Sequence, residues 1–171
     1  MNEKILLIGC GNLGKLLFIN WIEKNYNLSI LEKNLNSRQN IKKKFPKTIF
    51  YKSLSDLELH QYDIIVLCIK PNDSLKLLKS LSSNITSKQI VISLVAGLKI
   101  KVINQILAKE DNIFRVMPNI FLSVKSSSTA LFTNRITNSS SKSKIDKLFS
   151  NFGKNIWLKD EDEMNFFTAM F

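Results

Sequence analysis

Six consecutive residues have the types and spacing to hold a phosphate chain: Gly9-Cys10-Gly11-Asn12-Leu13-Gly14. They form a G-x-G-x-x-G that follows the apolar run Ile5–Ile8 and precedes Leu13, Leu16, Leu17 and Trp21 at helical spacing. A strand before the motif and a helix after it give this pattern its meaning. In that setting the first glycine allows the tight turn, the second lets backbone approach a pyrophosphate, and the third lets the helix pack closely. The helix N-terminus adds N–H donors and the positive end of its dipole. A purely structural glycine turn is the alternative. The flanking pattern favours a dinucleotide site built on Ile8, Gly9, Cys10, Gly11, Asn12 and Leu13.

Further candidates stand at the ends of other apolar runs. Glu32 closes the second run, about 18 residues past Gly14, close to where an acid meets an adenosine ribose. A carboxylate there accepts from the 2′- and 3′-hydroxyls and repels a 2′-phosphate, whereas Lys33 and Arg38 just beyond could bind one. Glu32 and Lys33 could also be a surface pair. Lys70-Pro71 follows Ile64–Ile69 directly, and proline is expected to stop that strand and fix the backbone of Cys68, Ile69 and Lys70 in a crevice. Val95-Ala96-Gly97 ends another run with small residues that leave room for a nicotinamide. Arg115-Val116-Met117-Pro118-Asn119 ends the next, and the Asn119 amide could bond a ligand. His60, the sole histidine, lies in a polar stretch and reads as a surface residue.

These points need a scaffold that brings strand ends to one edge. Strands are expected at Ile5–Ile8, Leu28–Leu31, Ile49–Tyr51, Ile64–Ile69, Ile90–Val95, Ile113–Met117, Thr129–Phe132 and Ile156–Leu158. Helices are expected at Leu13–Lys24, Ser37–Lys44, Ser74–Leu81, Ile100–Leu107 and Lys144–Phe152, with Asn138–Ser143 as a polar loop. The alternation predicts an α/β fold, Rossmann-type and doubly wound, with a mainly parallel sheet. Ile145, Leu148, Phe149 and Phe152 form a core-facing stripe. Asp160–Glu163 suits a helix start, and Met164, Phe166, Phe167, Met170 and Phe171 make the following turns apolar. The expected division is a dinucleotide-binding domain over 1–159 and the first turns of a helical domain over 160–171.

A chain of 171 residues suits one domain with a full core. Its net charge of +11 raises nucleic acid as a partner, but the lysines are dispersed and Lys42-Lys43-Lys44 reads as a solvated helix face. No nucleic-acid partner is therefore expected. The apolar runs are far shorter than a membrane span, no membrane partner is expected, and Cys10 and Cys68 make no disulfide framework. A cytoplasmic protein without a bound metal is the expectation.

The order GCGNLG, IKP, SLVAG, RVMPN, LFSNFG and a final Asp162…Thr168-Ala169 resembles the pyrroline-5-carboxylate reductase family over essentially the whole chain. The resemblance implies a dinucleotide-binding domain followed by a helical domain that forms a homo-oligomer. It also implies reduction of 1-pyrroline-5-carboxylate to L-proline, the last step of proline synthesis, with NADPH or NADH. Carried onto this sequence, it places the pyrophosphate on Gly9–Leu13, Lys33 near the adenosine 2′-position and Ser53 near the nucleotide. Cys68, Ile69, Lys70 and Pro71 line the crevice, Leu94, Val95 and Ala96 flank the nicotinamide, and Met117, Pro118 and Asn119 lie beside the substrate. The chain departs from the family at Ile120-Phe121, where Thr-Pro is usual, and at Val124-Lys125-Ser126-Ser127, where a small Gly-containing stretch is usual. The family's Gly-Ser-Gly-Pro segment would follow Phe171, so this chain is expected to carry the cofactor half and to be inactive on the imine alone. A non-catalytic dinucleotide-binding module, or a reductase of the β-hydroxyacid or prephenate dehydrogenase type, remains the alternative.

Overall fold

Every residue of Ile5–Ile8 and Ile64–Leu67 is buried, because helices cover both faces of the sheet these strands enter. Parallel strands buried on two sides read as continuous apolar runs rather than as alternation. The computed structural model describes residues 3–119 and 127–169. Its strands are β1 (Lys4–Ile8), β2 (Asn27–Leu31), β3 (Ile49–Tyr51), β4 (Ile64–Leu67), β5 (Ile90–Ser93), β6 (Ile113–Pro118), β7 (Ser127–Thr133) and β8 (Gly153–Trp157). The helices are α1 (Asn12–Glu23), α2 (Leu35–Lys44), α3 (Pro71–Leu81), α4 (Ile100–Leu107), α5 (Ser139–Ser150) and α6 (Glu163–Ala169).

The strands lie in one sheet in the order β3-β2-β1-β4-β5-β6-β7-β8. Pairing is parallel throughout except between β6 and β7, which run antiparallel. This is the doubly wound Rossmann-type sheet the sequence predicts, with the order reversing on either side of β1. Ile5 and Leu7 face a core shared with Leu17, Phe18 and Trp21 of α1 and Ile145, Leu148 and Phe149 of α5. Leu6 and Ile8 face the opposite core, with Leu78 and Leu81 of α3 and Ile100, Ile103 and Leu107 of α4. Trp21 ties the first core together: its Nε1 donates to the Leu148 carbonyl at 3.0 Å, and its ring meets Phe149 edge-on at 5.6 Å.

Several boundaries differ from expectation for identifiable reasons. The stretch expected as a loop over Asn138–Ser143 is the first part of α5, because the Asn138 side chain accepts from Ser141 N at 2.8 Å and caps the helix. Serine is a poor interior helix former but a frequent neighbour of caps, and the cap decides here. Pro71 starts α3 three residues earlier than the expected Ser74, since proline at the first helical position loses no hydrogen bond. β4 and β5 stop at Leu67 and Ser93, which leaves Cys68–Lys70 and Leu94–Lys99 as loops on the carboxyl edge. Residues 120–126, which hold Ile120-Phe121 and the first three residues of Val124-Lys125-Ser126-Ser127, lie outside the described residues, as do Met170 and Phe171. Among the described residues no helix is long and apolar enough to cross a membrane.

The glycine loop is set by steric room. A methyl group on Gly14 would lie 2.4 Å from the Gly9 carbonyl oxygen, whereas one on Gly11 would meet nothing within 4 Å. Gly14→Ala is therefore expected to lower unfolding free energy by about 1–3 kcal/mol, the usual cost of forcing an atom into a packed site. Gly11→Ala meets no such clash, but it puts alanine at the N-cap of α1 and should cost less than Gly14→Ala, under about 1 kcal/mol. Urea unfolding of both variants checks this, and equal midpoints would refute the packing argument.

Candidate cofactor-binding site

The carboxyl ends of β1, β2 and β4 open onto a cleft of about 670 Å³ at the place where the strand order reverses. Of the residues predicted from the sequence, Ile8, Gly9, Gly11, Glu32, Lys33, Ser53, Cys68, Ile69 and Lys70 line it. Gly9 sits at φ +91°, and a side chain there would strike the Cys68 carbonyl at 2.3 Å. Its N–H donates to the Leu31 carbonyl at 2.9 Å, while Cys68 N donates to the Ile8 carbonyl at 2.8 Å. The loop is thus wedged between β2 and β4.

Gly11 is the N-cap of α1, and no side chain caps the first turn, which also carries no acidic residue. The N–H groups of that first turn therefore have no side-chain acceptor, and with the positive end of the helix dipole facing the cleft they suit an anion. Gly11 also leaves open space where a side chain would stand. Together these features fit the pyrophosphate of a dinucleotide.

Glu32 does more than end a strand. Its Oε2 accepts from Cys10 N at 2.7 Å and its Oε1 from Asn34 N at 2.8 Å. The carboxylate so joins the glycine loop to the turn after β2. Arg38 Nη1 donates to the carbonyls of Glu32 and Lys33 at 2.6 and 2.9 Å, which fixes the same turn from below. Ser53 begins a tight turn in which Asp56 Oδ2 accepts from Ser53 N at 3.0 Å. That backbone N–H, more than the other groups around it, holds the Asp56 carboxyl below the usual carboxylate range.

The cleft has residues that the sequence reading did not include. Lys52, Ser55, Asp73, Lys76, Leu77 and Ser80 also line it. Asp73, Lys76, Leu77 and Ser80 fall at helical spacing on one face of α3, a signal that emerges once Pro71 is read as the start of that helix. With Lys33, Lys52, Lys70 and Lys76 against Glu32 and Asp73, the wall is mainly cationic.

The other predicted residues stand outside this cleft. Cys10 is buried beneath the loop, Asn12 and Leu13 open α1, and Pro71 opens α3. Leu94 and Val95 are buried after β5, with Ala96 exposed beside them. Met117 and Pro118 end β6, and Asn119, also buried, donates its N–H to the Ser128 carbonyl at 3.2 Å. All of these strand ends share the carboxyl edge with the cleft through the parallel pairing of β1, β4, β5 and β6. His60 is exposed, as predicted.

The sequence model of the family described as NADP oxidoreductase, coenzyme F420-dependent, matches residues 4–97, the span that builds this cleft. The chain belongs to this family. Among curated relatives, the pyrroline-5-carboxylate reductase of Staphylococcus epidermidis is 30% identical over 92% of this chain and 59% of its own length. That of Aquifex aeolicus is 26% identical over 99% of this chain and 62% of its own. The solved pyrroline-5-carboxylate reductase of Coxiella burnetii superposes with a TM-score of 0.89 at 25% identity, over 99% of this chain and 64% of that one. The Plasmodium falciparum pyrroline carboxylate reductase, solved with NADP bound, gives 0.80 at 25% identity over 99% and 62%. The resemblance to pyrroline-5-carboxylate reductases read from the sequence is borne out, and the chain spans about 60% of the length of these relatives.

Within this NADP oxidoreductase family fold, the two cysteines are chemically quiet. Burial pushes the Cys10 thiol from 9.0 up to about 12, with the Glu32 carboxylate adding to it. Burial alone takes Cys68 to about 12. Thiols that ionise at higher pH when folded than when unfolded stabilise the fold fully below 9.0, and that contribution fades as pH rises towards 12. The expected outcome is a urea midpoint that falls above pH 9, with a shallower fall in the C10A/C68A double variant. Native thiols should also label slowly at pH 8. Parallel pH profiles for parent and variant would overturn the assignment.

Proposed function

We propose that this chain is the cofactor-binding part of a pyrroline-5-carboxylate reductase, an oxidoreductase acting on a C=N bond with NAD(P)H. The observation that carries the reading is the uncapped α1 N-terminus at Gly11, facing a cationic cleft in a chain whose relatives bear that name. Gly11, Asn12 and Leu13 would hold the pyrophosphate through backbone N–H groups, which need no reorganisation to meet an anion, while Gly9, its own N–H bonded to the Leu31 carbonyl, would shape the turn. Glu32 would take the ribose hydroxyls, with Lys33 and Ser53 near the adenosine. When bound, the reduced nicotinamide supplies the hydride for the imine carbon of 1-pyrroline-5-carboxylate. The protein's share is to place that ring between 94–96 and 117–119 and to keep water out. No general acid or base is assigned.

The boundary at 159/160, a cytoplasmic location and a homo-oligomer formed through a helical domain belong to the same proposal. So does the lack of a nucleic-acid or membrane partner, supported by the dispersal of the lysines along the chain. The fold is also shared with prephenate dehydrogenase from Aquifex aeolicus, TM-score 0.80 at 14% identity. That likeness concerns the fold alone, and the higher identity to pyrroline-5-carboxylate reductases favours the imine.

Two measurements test the assignment. Gly11 has a negative φ of −69° and nothing within 4 Å of the place a Cβ would take, so Gly11→Val should fold and lose NAD(P)H binding. Unchanged affinity by calorimetry in the folded variant would place the pyrophosphate elsewhere. Discrimination between NADPH and NADH is expected to be weak, because the Glu32 charge opposes that of Lys33 and Lys52. Glu32→Ser should move the affinity ratio towards NADPH by about tenfold, or about 1.4 kcal/mol, the scale of one relieved repulsion. The ratio cancels whatever the loop loses in common for both cofactors. A move towards NADH would remove Glu32 from the ribose.

A further inference from the structure

Arg115 lies within β6 with its side chain only 2% exposed. Its Nη1 donates to Glu161 Oε1 at 3.0 Å, and its Nε and Nη2 have no acceptor among the described residues. The same Glu161 oxygen accepts from Ile100 N, the first N–H of α4, at 2.7 Å. One residue away, Lys99 Nζ donates to Asp162 Oδ1 at 2.8 Å.

Helix α4 has no cap of its own. Lys99 stands at its N-cap with no side-chain hydrogen bond to the helix, and its first turn holds no acid. The carboxylate that answers this dipole comes instead from Glu161, on the approach to α6, and Arg115 holds that carboxylate from the sheet. A buried guanidinium with spare donors, paired to a half-buried carboxylate, is a costly way to hold a helix that apolar packing already anchors through Ile100, Ile103 and Leu107. What the pair adds is a fixed position for the start of α4.

That position matters because of what precedes it. The loop after β5 is tied at its beginning, where Leu94 N donates to the Leu67 carbonyl at 3.0 Å and Val95 N to Ser93 Oγ at 3.3 Å. Its exposed tip is Ala96-Gly97, with Gly97 at φ +74°. The Arg115–Glu161 pair, with Lys99–Asp162 beside it, ties the other end. We infer that these four residues form a clamp that sets the 94–97 loop against the nicotinamide end of the dinucleotide. Arg115 and Glu161 are then positioning residues that act through the α4 N-terminus. The inference rests on the cofactor reading given above.

The test compares ligands with and without the nicotinamide. Affinities of NADH and NADPH are measured beside ADP-ribose and its 2′-phosphate, for the 171-residue chain and for two variants. R115M/E161Q removes both charges of the inner pair together, and K99A/D162N removes the exposed pair. The clamp predicts a loss of about tenfold for the whole dinucleotides in R115M/E161Q and a smaller loss in K99A/D162N, with both ADP-ribose ligands held within about twofold. Equal losses for all ligands, or none for any, would reduce the clamp to a support of the fold and overturn the inference. If R115M/E161Q does not fold, K99A/D162N decides by the same criterion. A parent chain that binds none of the four ligands rejects the cofactor reading itself, and the clamp's role with it.

Discussion

The whole site hangs on a steric constraint in the first glycine loop. Gly9 passes so close to the end of β4 that a side chain would overlap the Cys68 carbonyl, and Gly14 passes as close to the Gly9 carbonyl. Only residues without a Cβ allow β1, α1 and β4 to converge at that distance. Gly9 also needs a positive φ, which side chains resist. The convergence brings the α1 N-terminus over the sheet's carboxyl edge, and this is where the cleft opens. Had the loop stood further from β4, the helix dipole would point into solvent instead of into a walled crevice.

Electrostatics then divides the crevice. Lysines from three separate segments line it, yet the carboxylate closest to the glycine loop is Glu32, bonded to the loop's own Cys10 N–H. The carboxylate is therefore structural before any ligand arrives: it joins the loop to the turn after β2, where Arg38 holds the carbonyls. A carboxylate already satisfied by two N–H donors keeps accepting capacity for ribose hydroxyls, and a negative charge at that place opposes a 2′-phosphate. The lysines act the other way and attract phosphate of any kind. The balance of these two influences, rather than the presence of one residue, governs which dinucleotide is preferred.

What the sequence revealed, and what it hid, follows from the range of the interactions. Strand runs, the G-x-G-x-x-G context and the α5 stripe are local patterns, and each appears in the structure where its residues lie. The start of α5 was hidden because a serine-rich segment resembles a loop until one sees that Asn138 caps it. The cleft face of α3 was hidden by reading Pro71 as a stop when it is a first helical residue. Arg115 and Glu161 were beyond reach for a different reason. They meet across 46 positions, and no periodicity announces a pairing between a strand interior and an acidic turn. Distant charge pairs of this kind are the part of a site that only three-dimensional placement exposes.

The antiparallel step between β6 and β7 sets the outer limit of the site. Up to β6 every strand delivers its carboxyl end to one edge, so each following loop can contribute to the crevice. β7 runs the other way, with Pro118 paired to Thr129 and Phe114 to Thr133, and β8 follows β7 in direction. The carboxyl ends of β7 and β8 therefore lie on the opposite edge, and the loops after them cannot reach a ligand held at β1. Among the described residues the chain returns to the working edge through Glu161 and α6, which packs on β6 and β7 with Met164 fully buried. The segment that comes back is the one that binds the α4 N-terminus. A sheet that reverses after its last functional strand needs such a returning element if anything beyond it is to influence the crevice, and here the returning element arrives with the carboxylate that α4 lacks.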